Sequence, residues 1–144
     1  MKRQTTRTRL LLRLVLTITF CVFAVGVAEG SPRDCGNCGM FGVARGQIAR
    51  INAAHIGDAN TRPIQVEMTL VDSTGAVVGR DSKTVAPGKA VFFDVAFETV
   101  GGDKGRIELR AVITGEPDKN LRSSVEVFDA DTGRTTVFIG DPNQ

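Results

Sequence analysis

The stretch Pro63–Phe97, PIQVEMTLVDSTGAVVGRDSKTVAPGKAVFFDVAF, decides the fold. Ile64, Val66, Met68 and Leu70 alternate with Gln65, Glu67 and Thr69, the period of two expected of a strand with one buried face. Asp72-Ser73-Thr74-Gly75 reverses the chain, and a second strand runs roughly from Ala76 to Val85. Pro87-Gly88 reverses it again, and Val91, Phe93, Val95 and Phe97 repeat the alternation. Three consecutive strands with short turns predict an antiparallel meander, whose apolar face must be buried against another layer.

Toward the C-terminus the same pattern recurs. Thr99 to Lys104 is a glycine-rich loop, after which Ile107, Leu109, Ala111 and Ile113 share one face and Arg106, Glu108 and Arg110 the other. Residues 115–120 form a further loop. Ser123–Phe128 then pairs with Arg134–Ile139 across Asp129-Ala130-Asp131-Thr132-Gly133, and 141–144 is a polar tail. In both Asp-to-Gly turns the Asp caps and the Gly takes the positive-φ position. The expected core comprises Val66, Met68, Leu70, Val91, Phe93, Val95, Ile107 and Leu109.

Toward the N-terminus, Met40-Phe41-Gly42-Val43 opens the domain as a short strand. Gly46 to Ile56 is ambiguous. Ile48, Ile51 and His55 lie at helical spacing, whereas a strand places Ala49, Ile51 and Ala53 inward and Arg50 and Asn52 outward. The neighbourhood of strands favours β. Counting seven to eight strands in about a hundred residues, with turn signals every ~8–12 residues, the domain at 40–140 reads as an all-β antiparallel sandwich.

Residues 29–39 are a Gly/Pro-rich lead without periodicity, read as a tether. Residues 1–28 read as a signal peptide: a basic region ending at Arg13, then a 15-residue apolar run from Leu14 to Ala28. That is short of the ~20 residues of a membrane span. Cleavage is expected after Ala28 or Gly30, leaving no membrane span and discarding Cys21. The formal charge of +2 conceals an asymmetry, because Lys2, Arg3, Arg7, Arg9 and Arg13 all precede the first acidic residue, Glu29. From Glu29 onward 13 basic residues face 16 acidic ones, a net of −3. Such a domain lacks the electrostatic footprint of a nucleic-acid or anionic-lipid binder. The expected location is secreted or periplasmic.

From Met40 to Ile139 the chain resembles a family of small exported bacterial proteins without an assigned activity. The resemblance rests on Phe41-Gly42, Gly46-Gln47, Arg50-Ile51-Asn52, the turns Val71 to Gly75 and Ala86 to Ala90, the strand Gly105 to Arg110 and the closing hairpin Glu126 to Thr136. It implies an immunoglobulin-like sandwich and favours a strand over a helix at 46–56. It carries over no catalytic residue.

Candidate chemistry is sparse. Cys35-Gly36-Asn37-Cys38 has redox spacing, but redox catalysis needs the first thiolate at a helix N-terminus in a βα unit. Gly39-Met40-Phe41-Gly42 starts no helix, so a local disulfide on the lead is the plainer reading in an exported chain. Zinc would need about four ligands, and Cys35, Cys38 and the single His55 do not supply them. His55 has no recognisable nucleophile partner and reads as a strand-end surface residue. Asp129, Asp131 and Gly133 echo a calcium loop without its length or flanking helices. Sugar binding usually relies on Trp and Tyr platforms, and the chain has neither. Phe92, Phe128 and Phe138 fall on the outer faces of their strands. There they form either an exposed patch for a partner or packing against a loop.

The expectation is therefore an exported non-enzymatic β-sandwich that binds or scaffolds through its surface, its partner an unknown protein or envelope component, without a cofactor. The alternative is a thiol redox or redox-sensing protein using Cys35 and Cys38.

Overall fold

The computed structural model describes residues 33–34, 39–115 and 119–140. The signal-like segment, Cys35, Cys38 and the tail from 141 lie outside the described residues. The chain is mostly antiparallel β. In order it forms β1 (Arg33–Asp34), β2 (Phe41–Ala44), β3 (Gln47–His55), β4 (Ile64–Asp72), β5 (Val77–Val85) and β6 (Ala90–Ala96). A single helical turn, α1 (Phe97–Val100), precedes β7 (Arg106–Gly115), β8 (Leu121–Asp129) and β9 (Thr135–Gly140).

Two sheets result. In the first, β7 lies between β4 and an interrupted edge made of β1 and β2, and β5 is the other edge. The second has the order β6-β3-β8-β9. Alternation decides what each sheet buries. Phe41, Val43, Ile64, Val66, Met68, Leu70, Leu109 and Ile113 from the first sheet meet Ala49, Ile51, Ala53, Val125 and Val127 from the second in one core. Burying each large aliphatic there stabilises the fold by ~1.5–3 kcal/mol. The ambiguous segment 46–56 is strand β3, with Ala49, Ile51 and Ala53 fully buried.

The meander is the main correction. β4 and β5 pair as expected, but β6 pairs with β3 from Ile48–Ala96 to Ala54–Ala90 and lies in the other sheet. Two features explain the switch. The inner face of β5 puts Gly79, Asp81 and Lys83 opposite Leu70, Met68 and Val66, and charges pointing inward on an edge strand oppose further pairing. In addition, the turn feeds directly into β3. Gly88, at φ +68°, takes the glycine position of a type II turn closed by Lys89 N–H to Ala86 O. The Gly88 N–H donates to His55 O at 2.8 Å, and the His55 N–H donates to Lys89 O at 2.9 Å.

Further differences are local. Within the lead, Arg33 and Asp34 pair with Ile113 and Val112. Phe97 was expected to end a strand; instead it starts α1, although its ring is still 1% exposed. The backbone of Gly101 lies flat on that ring, where an added Cβ would come within 2.3 Å of the ring's Cζ. Phe93 is half-buried rather than fully enclosed, and packs with Val95 over Gly79 of the opposite sheet.

Candidate functional site

The outer face of the second sheet gathers the exposed aromatic side chains. Register places the residues in rows across β6, β3, β8 and β9. One row reads Asp94, Arg50, Glu126, Phe138; the next reads Phe92, Asn52, Ser124, Gly140. Phe128 stands opposite Ile48 in the row on the other side. Phe92 is 50% exposed and Phe138 66%, while Phe128 is half-buried. The structure thus places the three phenylalanines singled out in the sequence on one face.

Arg50 holds the centre of that face. Its Nε donates to Asp94 Oδ1 at 2.7 Å and its Nη2 to Asp94 Oδ2 at 2.8 Å, a bidentate fork. The guanidinium carbon lies 4.2 Å from the Phe92 ring centre and 4.9 Å from that of Phe128. Both distances are well inside the range of a cation–π contact. The hydrogen bonds to Asp94 raise the Arg50 pKa above its ordinary value, against the opposing effect of burial. Lys83, reaching across from β5, lies 5.5 Å from the Phe92 ring centre and donates to the Phe92 carbonyl. Glu126 accepts a hydrogen bond from the Thr135 hydroxyl. Arg50 and Asp94 neutralise each other, and their pairing holds the guanidinium beside the Phe92 and Phe128 rings.

At one end the face dips into a groove of about 200 Å³ lined by Asn52, Ala54, Arg122, Ser124, Phe138 and Gly140. Arg122 donates to the carbonyls of Lys119 and Leu121. Small-molecule sites usually run to ~300–1,000 Å³ and enclose their ligand. This groove is smaller and open.

Three other carboxylates, Asp72, Asp129 and Glu98, brace turns and backbone. Asp72 Oδ1 accepts from the Thr74 hydroxyl and from the N–H groups of Thr74 and Ala76. Asp129 Oδ1 accepts from the hydroxyl and N–H of Thr132. Those bonds, the Thr hydroxyl first, hold both carboxyls below the ordinary carboxylate range. Glu98 is lowered chiefly by the N–H of Gly46, which it caps. Asp129 therefore acts as a turn cap. Among the described residues no group of three or more His, Cys, Asp or Glu side chains is placed to hold a metal ion.

His55 corrects another expectation. It ends β3, but it is 1% exposed rather than on the surface. Its Nδ1 accepts from the Gly57 N–H at 3.0 Å and its Nε2 lies 3.0 Å from Arg62 O. These partners assign a neutral ring with the proton on Nε2. Both nitrogens are committed to bracing the 56–62 loop.

Sequence reasoning missed Arg50 as the organising residue. Alternation puts Arg50 on the outer side of β3, but its contacts with Phe92 and Asp94 depend on β6 lying beside β3. A scan against protein-family models and searches of curated proteins and of solved structures found no match to this chain.

Proposed function

We propose that this chain is an exported, non-enzymatic immunoglobulin-like β-sandwich that binds an envelope protein through the outer face of its second sheet. One observation carries the reading: Arg50 is clamped between Phe92 and Phe128 by a bidentate pair with Asp94, on a face whose outermost rings are solvent-exposed. Arginine and aromatic side chains dominate the buried centres of protein interfaces. Here the Arg50 guanidinium is already held by Asp94 between two rings, which lowers its ordering cost on association. The likeness to small exported bacterial proteins and the basic-then-apolar N-terminus support export.

Chemical cross-linking in intact cells tests this, comparing wild type with Phe92→Ser and Arg50→Ala. Both variants should lose the cross-linked partner while keeping the wild-type circular dichroism spectrum. Undiminished cross-linking in both would refute the reading.

The thiol reading has one observation in its favour: Asp34, the residue before Cys35, is paired with Val112 in the first sheet. A measured reduction potential discriminates, since a structural disulfide lies below about −300 mV.

A further inference from the structure

The two sheets have four edges, and they are not equally defended. On β5, Asp81 and Lys83 share the inner face and form an ion pair at 3.2 Å. On β6, the Lys83 ammonium caps the Phe92 carbonyl, and Asp94 adds a charge to the strand. The remaining edge of the first sheet is broken into pieces of two and four residues, β1 and β2. Inward charges, capping lysines and very short strands are the usual means of preventing edge-to-edge association.

β9 has none of these. Its six residues are Thr135, Thr136, Val137, Phe138, Ile139 and Gly140, with no charge and no proline. Among the described residues no strand pairs with its far side. Val137 and Ile139 point toward the core, opposite Val127 and Val125, yet remain only half-buried. Phe138 points outward and is 66% exposed. The apolar pattern is that of a strand with neighbours on both sides.

We propose that β9 pairs antiparallel with β9 of a second copy of this chain, joining two second sheets into one of eight strands about a two-fold axis. This goes beyond partner binding by the outer face and does not depend on it. The sequence of β9 is complementary to itself in the register centred on Phe138. That register sets Phe138 beside Phe138 on the outer side, Val137 beside Ile139 on the inner side, and Thr136 beside Gly140. Directly opposite side chains come within ~4.5–5.5 Å, so each copy supplies the missing cover for the other's Val137 and Ile139. Because the strand is uncharged, two copies meet without like-charge repulsion. The interface is isologous and consumes the β9 edge of both copies, while the other edges are guarded, so assembly closes at the dimer. Two six-residue strands make contact over only ~20 Å, too little for the ~1,600 Å² of a standard interface. The association is therefore a concentration-dependent equilibrium.

Sedimentation velocity over a hundredfold range of concentration tests this, with Phe138→Lys and Phe138→Glu as variants at an exposed position. Wild type should shift from monomer to dimer as concentration rises. Each variant alone should stay monomeric, because like charges would meet at the axis. An equimolar mixture of the two should recover the dimer as a heterodimer. A wild type that is monomeric throughout, open-ended assembly, or a dimer indifferent to both variants and to their mixing would each overturn the proposal.

Discussion

The two sheets share one interior yet turn different surfaces outward. On the first sheet the outer side carries polar and charged pairs beside Val71 and Val112: Arg80 lies 3.6 Å from Glu67, Arg106 lies 2.8 Å from Glu108, and Gln65 accepts from Thr84. On the second sheet the same alternation delivers Phe92, Arg50, Phe128 and Phe138. The outer faces therefore diverge in chemistry while the core between the sheets stays apolar. A strand's alternation fixes which residues are outside, whereas strand pairing fixes what they form together. The ion pairs of the first sheet are largely exposed to solvent. The locked guanidinium on the second leaves little conformational freedom to lose on contact.

Phe97→Ala removes the largest fully buried side chain and should cost ~3–5 kcal/mol, measured by chemical denaturation. Both sheets should unfold in one transition, because they share that core. Two separated transitions would show that the sheets are independent units.

The next effect sharpens the contrast between outer faces. Arg50→Ala abolishes a bidentate pair and two ring contacts, and should cost ~1–2 kcal/mol given the worth of such contacts at partly exposed sites. The matched change on the other sheet, Arg80→Ala, breaks a pair whose side chains are 56% and 39% exposed. It should cost at most ~0.5–1 kcal/mol, as surface pairs usually do. Double-mutant cycles of Arg50 with Phe92 and of Arg80 with Glu67 measure the two couplings, and the first should be the larger.

The smallest effect is one the two sheets share. Asp72 in the β4–β5 turn and Asp129 in the β8–β9 turn have carboxyls held below their ordinary value of 3.8. A carboxylate lowered on folding stabilises the native state above its unfolded pKa, and that stability is lost as pH falls through the folded value. Acid melting curves should therefore steepen below pH 3.8, and Asp72→Asn and Asp129→Asn should each blunt the loss. A response to only one substitution would place the acid sensitivity in one sheet.

Much of the fold was legible because it is local. The alternation at Ile64–Leu70 and Ile107–Ile113, and the Asp-to-Gly turns with Gly75 at φ +85° and Gly133 at φ +69°, need only neighbours in sequence. What stayed hidden was long-range. Pro87-Gly88 announces a reversal, but turn chemistry does not say whether the next strand bonds to the last one. The answer lay in Asp81 and Lys83 on the inner side of β5 and in the His55 backbone at the end of β3. For the same reason Phe92, Phe128 and Phe138 could be named without Arg50, which binds them into one face. Two residues, Arg33 and Asp34, are too few to show a period. Burial of His55 could not be read either, since its partners are main-chain groups of a polar loop.

The crossing of the chain between sheets has a consequence for when the protein can fold. β7, the strand on which the first sheet is centred, is contacted by β1, β2 and β4, all emerging earlier from the ribosome. β3, next to the edge of the second sheet, needs β8 on one side. A nascent chain lacking everything after the loop at 101–105 would expose the inner faces of β2, β3 and β4 together, with the β4–β5 hairpin as its only complete local pairing in the first sheet. Closing such distant contacts is slow, because the loop entropy must be overcome before the pairing rewards it. Completion of both sheets should therefore await β7, β8 and β9.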